Sequence, residues 1–292
     1  MAVIENARAT HTTLECRDVA QSLRFYREVM GLFVNQPAAL VGHVWDTRGL
    51  YAASLQSAQC TQQPLLNFYA RPVKARADVD PIYAQVVAVR DRYSIREVTA
   101  PTCENRDRFG VGSYGFYIND CDGNWWRIEE NDGAFGPVDL SAAAPGAGGS
   151  IVPAGPISYV ALESAKVTRS IAFYRDVLGL LVEQPAPHYG LCRSALGCVN
   201  TVVVEVGDRL VPQKVSNHHG LTLDVGPEII DALRQSISDA AGAFGIRKVL
   251  PATRQHGSYS FYVQDADTNC WEIESWDDGI SPVERGLLRV AH

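Results

Sequence analysis

The sequence has no apolar stretch long enough to span a bilayer, no block of like charges and no C-x-x-C pair. The first absence leaves no candidate for a membrane-spanning helix. The second, with a net charge of −7, argues against nucleic acid or an anionic membrane as a partner. The third, with an odd count of seven cysteines, leaves neither a disulfide framework nor a zinc knuckle to be expected. The opening residues Met1 to Arg8 lack a sustained apolar core, so no signal peptide is expected and the reading is of a reduced, cytoplasmic protein. What remains is ordinary globular material: 292 residues, 46% hydrophobic and 20% charged, enough for two domains with sizeable cores.

The N-terminal segment reads strand, helix, strand. Ala9 to Arg17 is β-like, and Asp18 is the N-cap of a helix running through Met30, with Gly31 closing it. Val19, Leu23, Tyr26 and Met30 recur at near-helical spacing and should face a core. Further strands are expected at His43 to Trp45, Tyr51 to Leu55, Leu65 to Tyr69 and Ala84 to Val89, with a closing pair at Tyr114 to Asn119 and Trp125 to Glu129. Residues 133–155, rich in Ala, Pro and Gly, read as a linker between a domain at 1–132 and another at 156–292.

After the linker the chain repeats itself. Ser-Leu-Arg-Phe-Tyr-Arg-Glu-Val-Met-Gly-Leu from Ser22 returns as Ser-Ile-Ala-Phe-Tyr-Arg-Asp-Val-Leu-Gly-Leu from Ser170. Gly112-Ser-Tyr-Gly-Phe-Tyr, then Asp120-x-Asp-x-Asn-x-Trp126, returns as Gly257-Ser-Tyr-Ser-Phe-Tyr, then Asp265-x-Asp-x-Asn-x-Trp271. Each half divides again into two β-α-β-β-β units, with starts near Ala9, Asp80, Pro156 and Val215. In the last strand, alternation sends Glu272 and Glu274 to one face and Trp271 and Ile273 to the other.

The helix ending Phe-Tyr-Arg-Asp-Val-Leu-Gly-Leu and the Asp-x-Asp-x-Asn-x-Trp-Glu turn resemble the vicinal oxygen chelate superfamily, which includes glyoxalase I, the bleomycin-resistance proteins and the extradiol ring-cleavage dioxygenases. The resemblance covers nearly the whole chain. It implies an α+β fold: four βαβββ modules in two tandem domains, forming open, cup-shaped mixed β-sheets with helices outside. It also implies metal ligands on the first and last strands of modules that pair into a cup. The residues at those positions are His11, His219 and Glu272 in one set, and Tyr83, Tyr159 and Arg127 in the other. A guanidinium cannot ligate a cation, so the working set is His11, His219 and Glu272, with Glu274 as the alternative carboxylate. Two imidazoles and a carboxylate form the facial triad of non-haem Fe(II) enzymes. The set requires module one to pair with module four, and two with three. Drawing the first His from the N-terminal strand resembles the hydroquinone-cleaving branch.

Around that triad the resemblance implies three further groups. Tyr262, ten residues before Glu272, matches the tyrosine that hydrogen-bonds a metal-bound phenolate. His256 and His218 are both candidates for the acid–base group, His218 pointing opposite to its neighbour His219. His43 and Trp45 either line the cup of module one or pack, and Cys103 and Cys121 read as structural. The implied activity is a ring-cleaving dioxygenase using Fe(II), or alternatively Mn(II), Zn(II) or Ni(II), on a small aromatic substrate with O2. No nucleic-acid or membrane partner is implied; relatives commonly form homo-oligomers. The alternatives are a glyoxalase-type lyase or isomerase and a metal-free binding protein of the bleomycin-resistance kind.

Overall fold

The structure, a computed structural model, describes residues 2–103, 113–133, 135–136, 140, 149–194 and 200–277. Four modules of strand, helix and strands follow one another along the chain. The first holds β1 (Arg8–Cys16), α1 (Val19–Glu28), β2 (Phe33–Ala38), β3 (Val41–Trp45) and β4 (Tyr51–Gln56). The second holds β5 (Phe68–Val73), α2 (Arg76–Ala88), β6 (Glu97–Val98), β7 (Gly115–Asn119) and β8 (Trp125–Glu130). The third holds β9 (Tyr159–Ser164), α3 (Val167–Asp176), β10 (Leu181–Ala186), β11 (Tyr189–Arg193) and β12 (Asn200–Glu205). The fourth holds β13 (His218–Thr222), α4 (Pro227–Phe244), β14 (Lys248–Val249), β15 (Thr253–Gln255), β16 (Ser258–Gln264) and β17 (Cys270–Trp276). Among the described residues no helix is long and apolar enough to cross a membrane.

The chain folds as two compact units, a C-terminal one of Met1–Thr12 with Leu162–Leu288 and an N-terminal one built on Thr13–Ala161. The divisions fall inside β1 and β9, the first strands of modules one and three. In the C-terminal unit β16, β17, β13 and the start of β1 are laid side by side: β16 with β17 antiparallel, β17 with β13 parallel, β13 with β1 antiparallel. In the N-terminal unit β7, β8, β5 and the start of β9 repeat that order and those directions. The expected pairings, module one with module four and two with three, are therefore those the first strands make.

The repeated motifs lock each helix onto the hairpin that closes its unit. Asp18 caps α1 by accepting from Gln21 N at 3.0 Å, as expected. The tyrosine of Phe-Tyr donates to the turn aspartate, Tyr26 to Asp120 at 3.1 Å and Tyr174 to Asp265 at 2.9 Å. Each tyrosine packs against the turn's tryptophan, Trp126 at 5.4 Å and Trp271 at 5.1 Å between ring centroids. The second aspartate of each turn accepts from the helix serine, Ser22 or Ser170. The Asp-x-Asp-x-Asn carboxylates are thus occupied by protein donors and act as hubs for buried backbone and side-chain donors.

Two expectations for the second module are corrected. The segment expected as a strand at Ala84 to Val89 lies largely in α2, and the second module begins at Phe68 rather than near Asp80. Val79, Ile82 and Val86 bury one face of α2, while Asp78 accepts from the Ala75 N–H at its start. Pro81 and the run Val86-Val87-Ala88-Val89 mask that helical period in the sequence. Part of the 133–155 segment, read as a linker, is packed. Ile151 and Val152 donate to the carbonyls of Glu28 and Val29, Val152 is buried, and Arg71 donates to the carbonyls of Pro153 and Gly155. Its residues 134, 137–139 and 141–148, and Gly112 of the repeated motif, lie outside the described residues.

Candidate metal centre

Strand register builds the site. Glu272 on β17 stands beside Gly220 of β13 and opposite Tyr262 of β16, and Gly220 pairs with His11 of β1. Alternation then puts His218 and Thr222 on the Gly220 face, and Glu274 on the Glu272 face. The register of β1 slips between Ala9 and His11, a bulge of the kind that re-aims a side chain beside a site. Gly220 is required here. A Cβ on it would lie 1.9 Å from His11 Cε1, so the imidazole occupies the space its missing side chain leaves.

His11, His218 and Glu272 are buried and offer ligand atoms within 4.8 Å of one another, so they can hold a metal ion. His11 Nε2 lies 3.2 Å and His218 Nε2 2.9 Å from Glu272 Oε2. The other ring nitrogens face outward from this point. His218 Nδ1 is 2.7 Å from the Val215 carbonyl, and His11 Nδ1 is 3.2 Å from Glu274 Oε1. Glu274 in turn accepts from Thr222 Oγ1 at 2.7 Å, and Thr10 Oγ1 is 2.7 Å from Thr222 Oγ1.

A carbonyl only accepts, so Nδ1 of His218 carries a hydrogen and Nε2 of the neutral ring presents a lone pair to a carboxylate oxygen. That contact needs a proton or a cation in it. Without metal, protons serve. Burial disfavours a charged His11, but Glu274 and Glu272 outweigh it and raise its pKa to about 10. Burial likewise pushes the Glu272 carboxyl up, and the hydrogen bonds from His11 and His218 bring it well below its usual range.

The structure brings together His11, His218 and Glu272 and leaves the expected His219 on the other face. His219 packs on Trp271, ring centroids 5.5 Å apart, and burial lowers its pKa to about 3. The reason is that His219 pairs with Trp271, a residue on the core side of β17, in the parallel ladder. The expected opposition of the two histidines holds, with the faces interchanged. Tyr262 is at the site, its ring edge-on to His218 at 5.0 Å, and burial and Glu272 raise its pKa.

His256 is not at the site. It is exposed and forms, with Gly257, the two-residue turn joining β15 to β16, both at positive φ (55° and 88°). Gln255 points inward instead, its Nε2 donating to Tyr262 OH at 2.7 Å, Ser260 Oγ at 2.9 Å and Glu272 Oε1 at 3.1 Å. Reading His-Gly between two strand-like runs as a hairpin turn would have found Gln255 in the sequence.

The N-terminal unit carries the same ladder with other chemistry. Arg127 stands beside Ala70 and opposite Tyr117, and Ala70 pairs with Tyr159. Phe68, two before Ala70, takes the place of His218, and Glu129 that of Glu274. Phe68 lies 5.2 Å from Tyr117 and 5.8 Å from Tyr159 between ring centroids, close to the His218–Tyr262 and His218–His11 spacings of 5.0 and 5.6 Å. Arg127 Nε donates to Glu129 Oε2 at 2.9 Å and Nη2 to the Ser113 carbonyl. Tyr83, expected here, is on α2 against Phe116. Tyr69 packs on Trp126 as His219 does on Trp271, which marks that position as a structural aromatic one. His43 packs edge-on to Trp45 and Tyr51 in the N-terminal unit.

The four-module α+β architecture is the fold seen in glyoxalase I from Zea mays. Glyoxalase I from Zea mays overlays with a TM-score of 0.61 across 97% of this chain and 94% of that one, at 12% identity. A candidate dioxygenase from Bacillus subtilis subsp. subtilis str. 168 overlays with a TM-score of 0.58 across 94% of this chain and 87% of that one, at 14% identity. Identities this low define the fold and leave the chemistry to the site. No protein-family model matches the chain, and no curated protein matches its sequence.

Proposed function

We propose that the chain is a non-haem Fe(II)-dependent dioxygenase of the extradiol type, opening the ring of a catechol or hydroquinone-like substrate with O2. His11, His218 and Glu272 are the ligands in this reading. One observation carries it: both imidazoles have Nδ1 engaged from behind, by Val215 and Glu274, while both Nε2 atoms converge on one carboxylate oxygen. Backing a ligand imidazole with a carbonyl or carboxylate fixes its tautomer and raises its basicity. Two imidazoles and one carboxylate suit Fe(II) and leave coordination positions for substrate and O2.

When bound, Fe(II) supplies Lewis acidity to the substrate oxygens and an electron path to O2. The rest is the work of the chain. Glu274, Thr222 and Thr10 hold the His11 ring; Gly220 makes its room; the Tyr262 hydroxyl stands at the edge of the cluster to exchange a proton or hydrogen bond with a substrate oxygen, a role worth about 10²–10⁴-fold in rate when protons move.

Glu274 favours a second reading, a glyoxalase-type lyase or isomerase, because it is a second buried carboxylate on the same face. Its commitment to His11 Nδ1 and Thr222 places it behind the ring, away from the converging Nε2 atoms, which ranks that reading second. Anaerobic purification, metal quantification and O2 uptake with a panel of catechols and hydroquinones distinguish the two. Iron near one per chain with ring-fission absorbance is expected. Turnover of a hemithioacetal with Zn or Ni, without O2 uptake, would replace this reading by the second.

A further inference from the structure

We infer that Gln255 is a positioning residue that holds the Tyr262 hydroxyl as a hydrogen-bond donor to the substrate; the inference rests on the ring-cleavage reading. Gln255 is the last residue of β15, paired with Ser258 across the His256–Gly257 turn. That register puts its side chain on the face that carries Ser260, Tyr262 and Glu272, where the amide meets all three.

The amide's orientation follows from its neighbours. The Gln255 Nε2 lies 3.1 Å from a carboxylate oxygen of Glu272, an acceptor, so the edge of Gln255 that meets Glu272 is its NH2. Two hydrogens then serve three oxygens, and the shortest contact, 2.7 Å, is to the phenol oxygen of Tyr262. A phenol oxygen that accepts from an N–H has its own hydrogen turned away from that donor. In the metal-free protein the Tyr262 hydroxyl is hydrogen-bonded to Glu272; in this reading a substrate oxygen beside His218 takes over as its acceptor. An amide holds this polarity without gaining or losing a proton, which a histidine in the same place would not.

The test is binding of 4-nitrocatechol to the anaerobic, Fe(II)-loaded full chain, with iron content measured on every sample. Gln255→Leu and Tyr262→Phe are each expected to weaken binding about tenfold, the loss of one hydrogen bond at a charged acceptor. The double variant is expected to bind no worse than Tyr262→Phe alone, because Gln255 acts through that hydroxyl. Gln255→Asn, which keeps the amide but shortens its reach, is expected to lose the same factor if the leucine variant does not fold. The absorption spectrum of the bound probe should shift in Gln255→Leu and in Tyr262→Phe alike. Additive losses in the double variant, or undiminished binding by Gln255→Leu and Gln255→Asn at full iron content, would overturn the inference alone. Wild-type protein that takes up iron but leaves 4-nitrocatechol unbound would overturn the ring-cleavage reading and this inference with it.

Discussion

One ladder of strands occurs in both units, and its residues were exchanged position by position. His11, His218, Glu272 and Tyr262 on one side answer to Tyr159, Phe68, Arg127 and Tyr117 on the other, and Glu274 answers to Glu129. The ring spacings barely differ, so the scaffold tolerates either set. The difference lies in where the positive charge comes from. Glu129 is buried against Arg127, a cation the chain carries permanently. Among the described residues Glu272 and Glu274 are buried against two histidines and no Lys or Arg ion pair. A buried carboxylate needs a partner. The N-terminal unit makes its own, and the C-terminal unit leaves the place to a proton or a metal ion.

The largest expected effect is on the permanent cation. Arg127→Met leaves Glu129 buried without its partner and should destabilise the protein by about 3–5 kcal/mol in denaturant unfolding, with metal content unchanged. A loss of bound metal in that variant would break the comparison. Next is Gly220→Ala, whose Cβ would displace the His11 ring, where Ala70 is accommodated at the matching position of the other unit. Metal affinity should fall by about 10–100-fold, and Glu274→Ala, which removes the carboxylate behind His11, should lose a similar factor.

The smallest effect is on pH dependence. In the metal-free protein Glu274 and Glu272 outweigh the cost of burial and raise the His11 pKa to about 10, above its ordinary 6.5. Its protonated form therefore stabilises fully below pH 6.5, and that contribution is lost as pH rises through 10. Metal-free protein should lose stability across this window, while metal-loaded protein, holding a neutral His11, should not lose it by this route. Tyr159, which burial keeps well above 10, adds nothing to the window. Thermal unfolding of both forms from pH 6.5 to 10 measures the difference, and proton uptake rather than release on metal binding at pH 7 would contradict it.

The duplicated motifs made the fold legible, because their Tyr, Asp, Asn and Trp serve packing that both halves need. They also carried the alignment of Glu272 with Arg127, and of Tyr262 with Tyr117. The first strands share no such motif. The strand expected for module two therefore falls on what is α2, and Tyr83 with it. On β13 the adjacent histidines differ only in phase, which register against Trp271 decides and spacing does not. His256 carries the side-chain chemistry in the sequence, but with Gly257 it forms the turn, and Gln255 is the residue that faces the site.

The most direct measurement is metal stoichiometry in the wild type, His218→Ala and His219→Ala, each reconstituted anaerobically with Fe(II). One ion per chain is expected in the wild type and in His219→Ala, and none is expected in His218→Ala. Retention of the ion by His218→Ala with its loss in His219→Ala, or two ions per chain in the wild type, would contradict the account.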